Sequence, residues 1–274
     1  MQKEPNDLGL LLRHWRGVRG TSQLELALDT GISQRHLSFI ESGRSTPSRQ
    51  TLAGIVQSLE VPLRERNEIF LAAGFAPAYS EAPWNAKEMQ GITRALDRML
   101  RQHDPFPAIV MDRYWNVLAT NESSPRFFGS FIDMDARVGP RNMLHLIFDP
   151  NGMRPFVADW ETVARSLIQR VYRETIGRVM DERTHALLDE LFTYPGVDAS
   201  WRLHGSVGSA SNLPMIPMGF HKDGKVLRYF SMVTSVGAPQ SVAAQELRIE
   251  SMFPVDAEAE AYHEKWMSPG QTAS

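Results

Sequence analysis

The sequence predicts an all-α head of five helices followed by an α+β domain, and three observations carry that prediction. Residues 8–74 read as short segments of helical apolar period punctuated by glycine. Residues 76–86, APAYSEAPWNA, are rich in proline, alanine and serine, which is the composition of a linker. Beyond residue 87, helical stretches alternate with β-branched and aromatic runs, and Asp223-Gly224 marks a tight hairpin turn. The boundaries expected are therefore 8–74 for the head, 75–86 for the linker and 87–267 for the second domain. A length of 274 residues fits two domains at about 150 residues each. The 42% of hydrophobic residues is enough to bury a core, which excludes disorder as the overall state.

Composition removes several classes of chemistry. There is no cysteine, so disulfides, thiolate zinc sites, iron–sulfur clusters and a cysteine nucleophile are excluded. No apolar run approaches the ~18–20 residues of a membrane span, and MQKEPNDLGLLL is too acidic and too short in apolar length for a signal peptide. The expectation is a cytoplasmic protein. A net charge of −3 is not the whole-chain signature of a polyanion binder, but charge is unevenly spread. From Arg13 to Arg49, arginines 13, 16, 19, 35, 44 and 49 stand against Glu25, Asp29 and Glu41 only.

Within the head, Ser22 followed three residues later by Glu25 is a capping box, so a helix opens at Gln23. Leu24, Leu26, Ala27 and Leu28 supply its apolar side, and Gly31 ends it. Ser33 caps the next helix, Gln34 to Glu41, whose Leu37 and Ile40 are three residues apart and face inward. Two short helices joined by a turn at this spacing form a helix-turn-helix. Gln34, Arg35, His36 and Ser38 on the outward face suit base edges, since arginine can pair twice with guanine and glutamine twice with adenine. Ser22, Gln23 and Ser33 at helix starts suit phosphate oxygens. Arg44, Ser45, Thr46 and Arg49 follow, placed for the next phosphates or a minor groove.

This stretch resembles the Xre or phage-repressor-like helix-turn-helix family. The resemblance rests on SQ opening the second helix, G-I-S at the turn and I-E-S-G closing the third. A helix before (Leu8–Val18) and two after (Arg49–Leu59, Leu63–Ala73) complete the five-helix, lambda-repressor-like plan that it implies. It further implies a pair between Arg16 and Glu41, tying the first helix to the end of the recognition helix. Phe39 departs from the pattern that the resemblance implies, in which this position is often polar and near DNA, and either touches a thymine methyl or packs inward.

In the second domain, residues 87–102 form an amphipathic helix with Ile92, Leu96, Met99 and Leu100 on one stripe. Ala108–Met111 reads as a strand, Asp112–Tyr114 as a turn and Trp115–Thr120 as the returning strand. Asn121 caps a short helix carrying Phe127 and Phe128, an opening that matches PAS-type sensor domains. Met143 to Phe192 is mostly helical, including a long segment Pro155–Thr175. Pro214–Phe220 and Val226–Thr234 flank the hairpin turn, and Leu247–Phe253 is a last strand.

LAAGFAPAY, DPFPAIVMDRYWNVLATN, RNMLHLIFDP and the Asp159-Trp160 pair resemble the MmyB-like transcriptional regulators, which join an Xre-type head to a PAS-like ligand-binding domain. The resemblance spans about residues 8–255. It implies operator DNA as one partner, a homodimer as the working form, and a small apolar, fatty-acid-like effector with no other cofactor. Thirteen methionines and thirteen phenylalanines are compatible with an adaptable apolar pocket, with Met215, Met218 and Met232 on the hairpin. The expected lining is Phe127, Phe128, Leu144, Phe148, Trp160, Val163, Leu167, Met218, Phe230 and Met232. Asn121, Arg141 and His145 are the candidates for an acyl carboxylate.

No phosphate-binding loop, dinucleotide fingerprint or nucleophile elbow is present, and the eight histidines show no metal-ligand spacing. A non-enzymatic regulator without a metal is expected. Two other readings stay open on the residues alone. One is a DNA-anchored enzyme acting on an acyl substrate, for which a Ser–His pair within 204–211 is the place to look. The other is a DNA-binding protein whose second domain only recruits a protein partner.

Overall fold

A computed structural model of the protein describes residues 7–175, 181–202 and 218–268. In chain order the elements are α1 (Asp7–Val18), α2 (Gln23–Thr30), α3 (Gln34–Glu41), α4 (Arg49–Ser58), α5 (Leu63–Ala72), α6 (Gln90–Gln102), β1 (Ala108–Met111), β2 (Val117–Thr120), α7 (Ser123–Gly129), α8 (Met143–Phe148), β3 (Val157–Ala158), α9 (Trp160–Thr175), α10 (Glu182–Phe192), β4 (Met218–Lys222), β5 (Lys225–Ser235), α11 (Val242–Glu246), β6 (Arg248–Pro254) and α12 (Ala257–Met267). Two compact units result, the first holding the chain up to Pro83 together with residues 238–245.

The first unit is the expected five-helix bundle. Its helix ends follow local chemistry. The Ser22 hydroxyl accepts from Glu25 N at 3.2 Å while the Glu25 carboxylate accepts from Ser22 N at 2.7 Å. That second bond holds the Glu25 carboxyl below its usual range. Gly31 takes φ +70°, and Ser33 Oγ accepts from His36 N at 3.1 Å. Leu12, Trp15, Leu26, Leu37, Ile40, Leu52, Ile55 and Phe70 fill the core. The apolar side read for α2 splits: Leu26 and Ala27 are buried, but Leu24 and Leu28 stand 53% and 73% exposed.

The proline-rich stretch after α5 is not a free tether. Asn67, buried on α5, accepts from Ala78 N (2.9 Å) and Tyr79 N (3.0 Å) and donates to Tyr79 O and to Glu81. Residues 76–81 are thereby pinned to the bundle. Pro62 offers α5 no side-chain cap; Gln245 Oε1 does so instead, accepting from Leu63 N at 2.7 Å.

The second unit is built on an antiparallel sheet of order β2-β1-β6-β5-β4-β3. The β4–β5 hairpin turns at Asp223 (φ +49°) and Gly224 (φ +75°), as the Asp-Gly pair requires. Register decides which side chains share a face. Met218 pairs with Tyr229, Ser231 with Met252, Ile109 with Glu250, and Met111 with Arg248. Those residues therefore point to one face, and Val110, Ile249, Phe230 and Phe253 to the other. Leu96 and Leu100 of α6 are buried, and His103 just after it stacks edge-on against Phe253 with centroids 4.8 Å apart.

The structure corrects the reading in three places. The helix expected from Pro155 begins only at Trp160, after a 3-10 turn at Arg154–Phe156 and the two-residue β3. The returning strand begins at Val117, because Trp115 adopts φ +66° and ends the turn. Helix α12 has no counterpart in the sequence reading, although Asp256 accepting from Ala259 N at 2.8 Å is an ordinary N-cap. The proposed strand start Pro214–Pro217, Met215 and residues 204–211 lie outside the described residues.

Through α12, His263 enters the core, where it is wholly buried. Its Nε2–H must donate to Pro105 O (2.9 Å), so Nδ1 accepts from the Tyr229 hydroxyl (2.7 Å). Burial lowers its pKa below the usual 6.5, the Pro105 bond opposing. The unfolded chain therefore takes up a proton that the fold resists. This contribution to stability is complete above pH 6.5 and is lost as pH falls below it. The urea midpoint of the wild type should drop between about pH 7.5 and about pH 5.5, and His263→Gln should show a shallower drop. Parallel slopes in the two proteins would contradict this assignment.

Candidate functional site

Two sites emerge, one in each unit. The first is the outward side of α3. Leu37 and Ile40 point into the bundle, which leaves Gln34 and Arg35 exposed and His36 and Ser38 half-buried. Phe39 resolves toward the outside: it is half-buried, with the Arg35 and Arg44 guanidinium carbons 5.3 and 5.9 Å from its ring centroid. Arg44 and Thr46 are exposed, and Ser45 is half-buried.

Behind this face sits Glu41, 2% exposed. Arg16 grips it bidentately, Nε to Oε1 at 2.8 Å and Nη2 to Oε2 at 3.2 Å. Arg13 donates to the Glu41 main-chain oxygen. Gln23 Nε2 donates to Glu41 Oε2 at 2.7 Å, so the amide expected to reach a phosphate is engaged inside the protein. Arg49 is also committed, donating to Ala76 O at 3.2 Å and lying over the Phe70 ring at 5.1 Å. The Ser22 and Ser33 hydroxyls serve as helix caps. α3 is thus presented by a clasp that joins α1, α2 and its own last residue.

The second site is a hollow of about 330 Å³ in the second unit. The inner sheet face supplies Ile109, Met111, Met218, Tyr229 and Met252. Helix α8 adds Met143, Leu144 and Ile147, and α9 adds Val163, Ser166, Leu167, Arg170 and Arg173. Phe128 and Trp115 complete the apolar wall, with Ser231 and Glu250 on its polar side. This is the size and chemistry of a small-molecule pocket.

Of the residues expected here, Phe128, Leu144, Val163, Leu167 and Met218 line the hollow, and Phe230 borders it although its ring stacks on Phe253 at the other sheet face, centroids 5.4 Å apart. The other four apolar candidates are elsewhere. Phe127 and Phe148 are fully buried in the packed core. Trp160 donates Nε1–H to Ile147 O at 3.0 Å and carries the Arg154 guanidinium 3.7 Å over its ring. Met232 points away, 58% exposed, because β5 alternates and it lies on the outer face.

None of the three polar candidates lines the hollow. Asn121 is a buried cap, accepting from Ala108 N and Ser124 N and donating to Phe106 O at 2.7 Å. Arg141 is exposed. His145 is spent on Glu190 (Nε2 to Oε2, 3.1 Å) and Tyr194 (Nδ1 to the hydroxyl, 2.9 Å); burial lowers its pKa, with Glu190 opposing.

The basic groups at the hollow are Arg170 and Arg173. Residues 163, 166, 167, 170 and 173 recur at three- and four-residue spacing along one side of α9, a signal that was present in the sequence. Arg170 donates to Glu174 (3.0 Å) and Glu250 (3.4 Å) and lies 4.5 Å over the Trp115 ring. Glu250 also accepts from Ser231 Oγ at 2.6 Å, and Glu174 from Arg248.

Among the described residues no helix is long and apolar enough to cross a membrane, and no cluster of acidic or histidine side chains is arranged to hold a metal. Residues 12–66 match the family model described as helix-turn-helix. Residues 92–265 match the model described as the MmyB-like transcription regulator ligand binding domain. No curated protein matches the chain.

Proposed function

We propose that this chain, which belongs to the MmyB-like transcription regulators, is a one-component sensor: a small apolar, fatty-acid-like effector enters its second domain and changes its grip on operator DNA. The observation that carries the reading is the 330 Å³ apolar hollow, which coexists in one chain with an unobstructed Gln34–Arg35 face. The sheet order and the short α7 after the first strand pair, with Asn121 Oδ1 accepting from Ser124 N at 3.1 Å, support a PAS-like description of the sensor domain. The working form is a cytoplasmic homodimer reading two half-sites about one helical turn apart. The effector acts by binding two arrangements of that dimer with different affinity. The protein is not an enzyme in this reading.

The test is to extract the purified full chain, identify bound compounds by mass spectrometry, and titrate them against binding to DNA upstream of its own gene. An unmodified lipid that shifts DNA affinity supports the sensor; its turnover would point to the enzyme instead. A chain that carries no lipid and whose DNA affinity no acyl compound alters would end the proposal. The reading head has its own check. Arg35→Ala should cost roughly 1–3 kcal/mol on the preferred operator and relax choice at one base pair. Arg44→Ala should weaken all sequences alike. An unchanged base preference in Arg35→Ala would displace the assigned register.

A further inference from the structure

Phe39 is the one apolar side chain of α3 that is not buried: Leu37 and Ile40 turn into the bundle core, and Gln34, Arg35, His36 and Ser38 are polar. The Arg35 guanidinium carbon lies 5.3 Å from the Phe39 ring centroid and that of Arg44 lies 5.9 Å from it. Neither guanidinium donates a hydrogen bond among the described residues, so contact with the ring is what orients them. The main chain beneath is held independently of the ring, since Phe39 O accepts from Arg44 N at 2.8 Å and from Ser45 N at 3.1 Å. A half-buried ring beside two cations is poorly served by water. The major groove offers it one apolar group, the C5 methyl of a pyrimidine.

We infer that Arg35 and Phe39 read one dinucleotide together, Arg35 the edge of a guanine and Phe39 the C5 methyl of the pyrimidine beside it. The inference rests on the proposed reading role of α3. Four residues advance a helix by about 6 Å, between one and two base steps of about 3.4 Å. The two side chains therefore reach neighbouring base pairs when α3 lies along the groove. What Phe39 meets is the methyl itself and not the hydrogen-bonding edge of thymine. 5-Methylcytosine presents the same methyl at the same place, so the head tells methylated from unmethylated cytosine there, and thymine from uracil.

The full chain is first used to select its preferred half-site from a pool of randomised DNA duplexes. In one half-site of that operator the pyrimidine beside the guanine is then varied in two matched pairs, thymine against deoxyuridine and 5-methylcytosine against cytosine. Only the methyl differs within a pair, and affinities are read by fluorescence anisotropy. In the wild type the methyl should tighten binding about fourfold in both pairs, the worth of one buried methyl group. In Phe39→Ala both ratios should fall below about 1.5-fold, with guanine still preferred over adenine at the neighbouring position because Arg35 remains. Phe39 lies outside the bundle core, so this variant keeps the fold. Phe39→Leu, still apolar, should retain a ratio of about twofold or more. Matched pairs bound equally by the wild type, or a selected half-site in which no pyrimidine adjoins a guanine, overturn methyl reading and leave α3 as a DNA-reading helix. An unchanged methyl ratio in Phe39→Ala overturns the assignment to Phe39. Failure to select any sequence removes the reading role of α3, and this inference with it.

Discussion

Glu41→Ala is expected to cost the N-terminal domain about 3 kcal/mol, and to weaken DNA binding on every sequence alike. The buried carboxylate is the common acceptor for Arg16 and Gln23, and its residue's main-chain oxygen takes a bond from Arg13. Removing one partner of a buried pair typically costs about 3–5 kcal/mol, because the other charge is stranded. Here the low end applies, since Arg16 is 21% exposed and can regain water. The net worth of the intact pair is much smaller than this loss, so its role is positional. It holds the end of α3 against α1 and α2, and so fixes the angle at which Gln34 and Arg35 are offered. Urea unfolding of the full chain, with operator and non-operator titrations, measures both effects. A loss under about 1 kcal/mol would mean that the pair behaves as a solvated surface bridge.

The second large effect is at Phe127, where alanine should cost about 3–5 kcal/mol. The ring lies at the centre of an aromatic cluster: Phe128, Phe131, Phe220, Tyr229, His263 and Trp266 all have centroids 5.2–5.9 Å away. It is wholly buried and does not line the hollow. Its loss should therefore lower the stability of the second domain and leave ligand preference nearly unchanged. Leu167→Trp, by contrast, should weaken the ligand with little effect on the cluster. If Phe127→Ala is too unstable to purify, Phe127→Leu keeps most of the volume and should show the same separation at a loss of about 1 kcal/mol. A Phe127 variant that is stable but deaf to ligand would return the residue to the binding site.

These two residues show what a sequence conceals. Phe127 and Phe128 are adjacent, aromatic and on one short helix, and both were reasonable pocket candidates. Only the packing of α12 and β5 against α7 makes one of them core and the other wall. Likewise Arg141 precedes the pocket-lining helix α8 and His145 lies within it, yet one faces solvent and the other is bound to Glu190 and Tyr194. The arginines that do reach the hollow were legible in principle, as the continuation of the Val163–Leu167 stripe. Helix α12 was legible too, from Asp256 and the apolar period after it.

From its residues alone the chain determined the helix-turn-helix, its caps, the hairpin at Asp223-Gly224 and the division into a helical head and an α+β domain. Those features depend on interactions within a few residues: a hydroxyl meeting a free amide, a glycine at positive φ, an apolar period. The tertiary structure alone decided that Gln23 and Arg49 turn inward and that a hollow remains beneath the sheet. Such outcomes depend on which faces of distant segments meet, and no local pattern encodes that meeting.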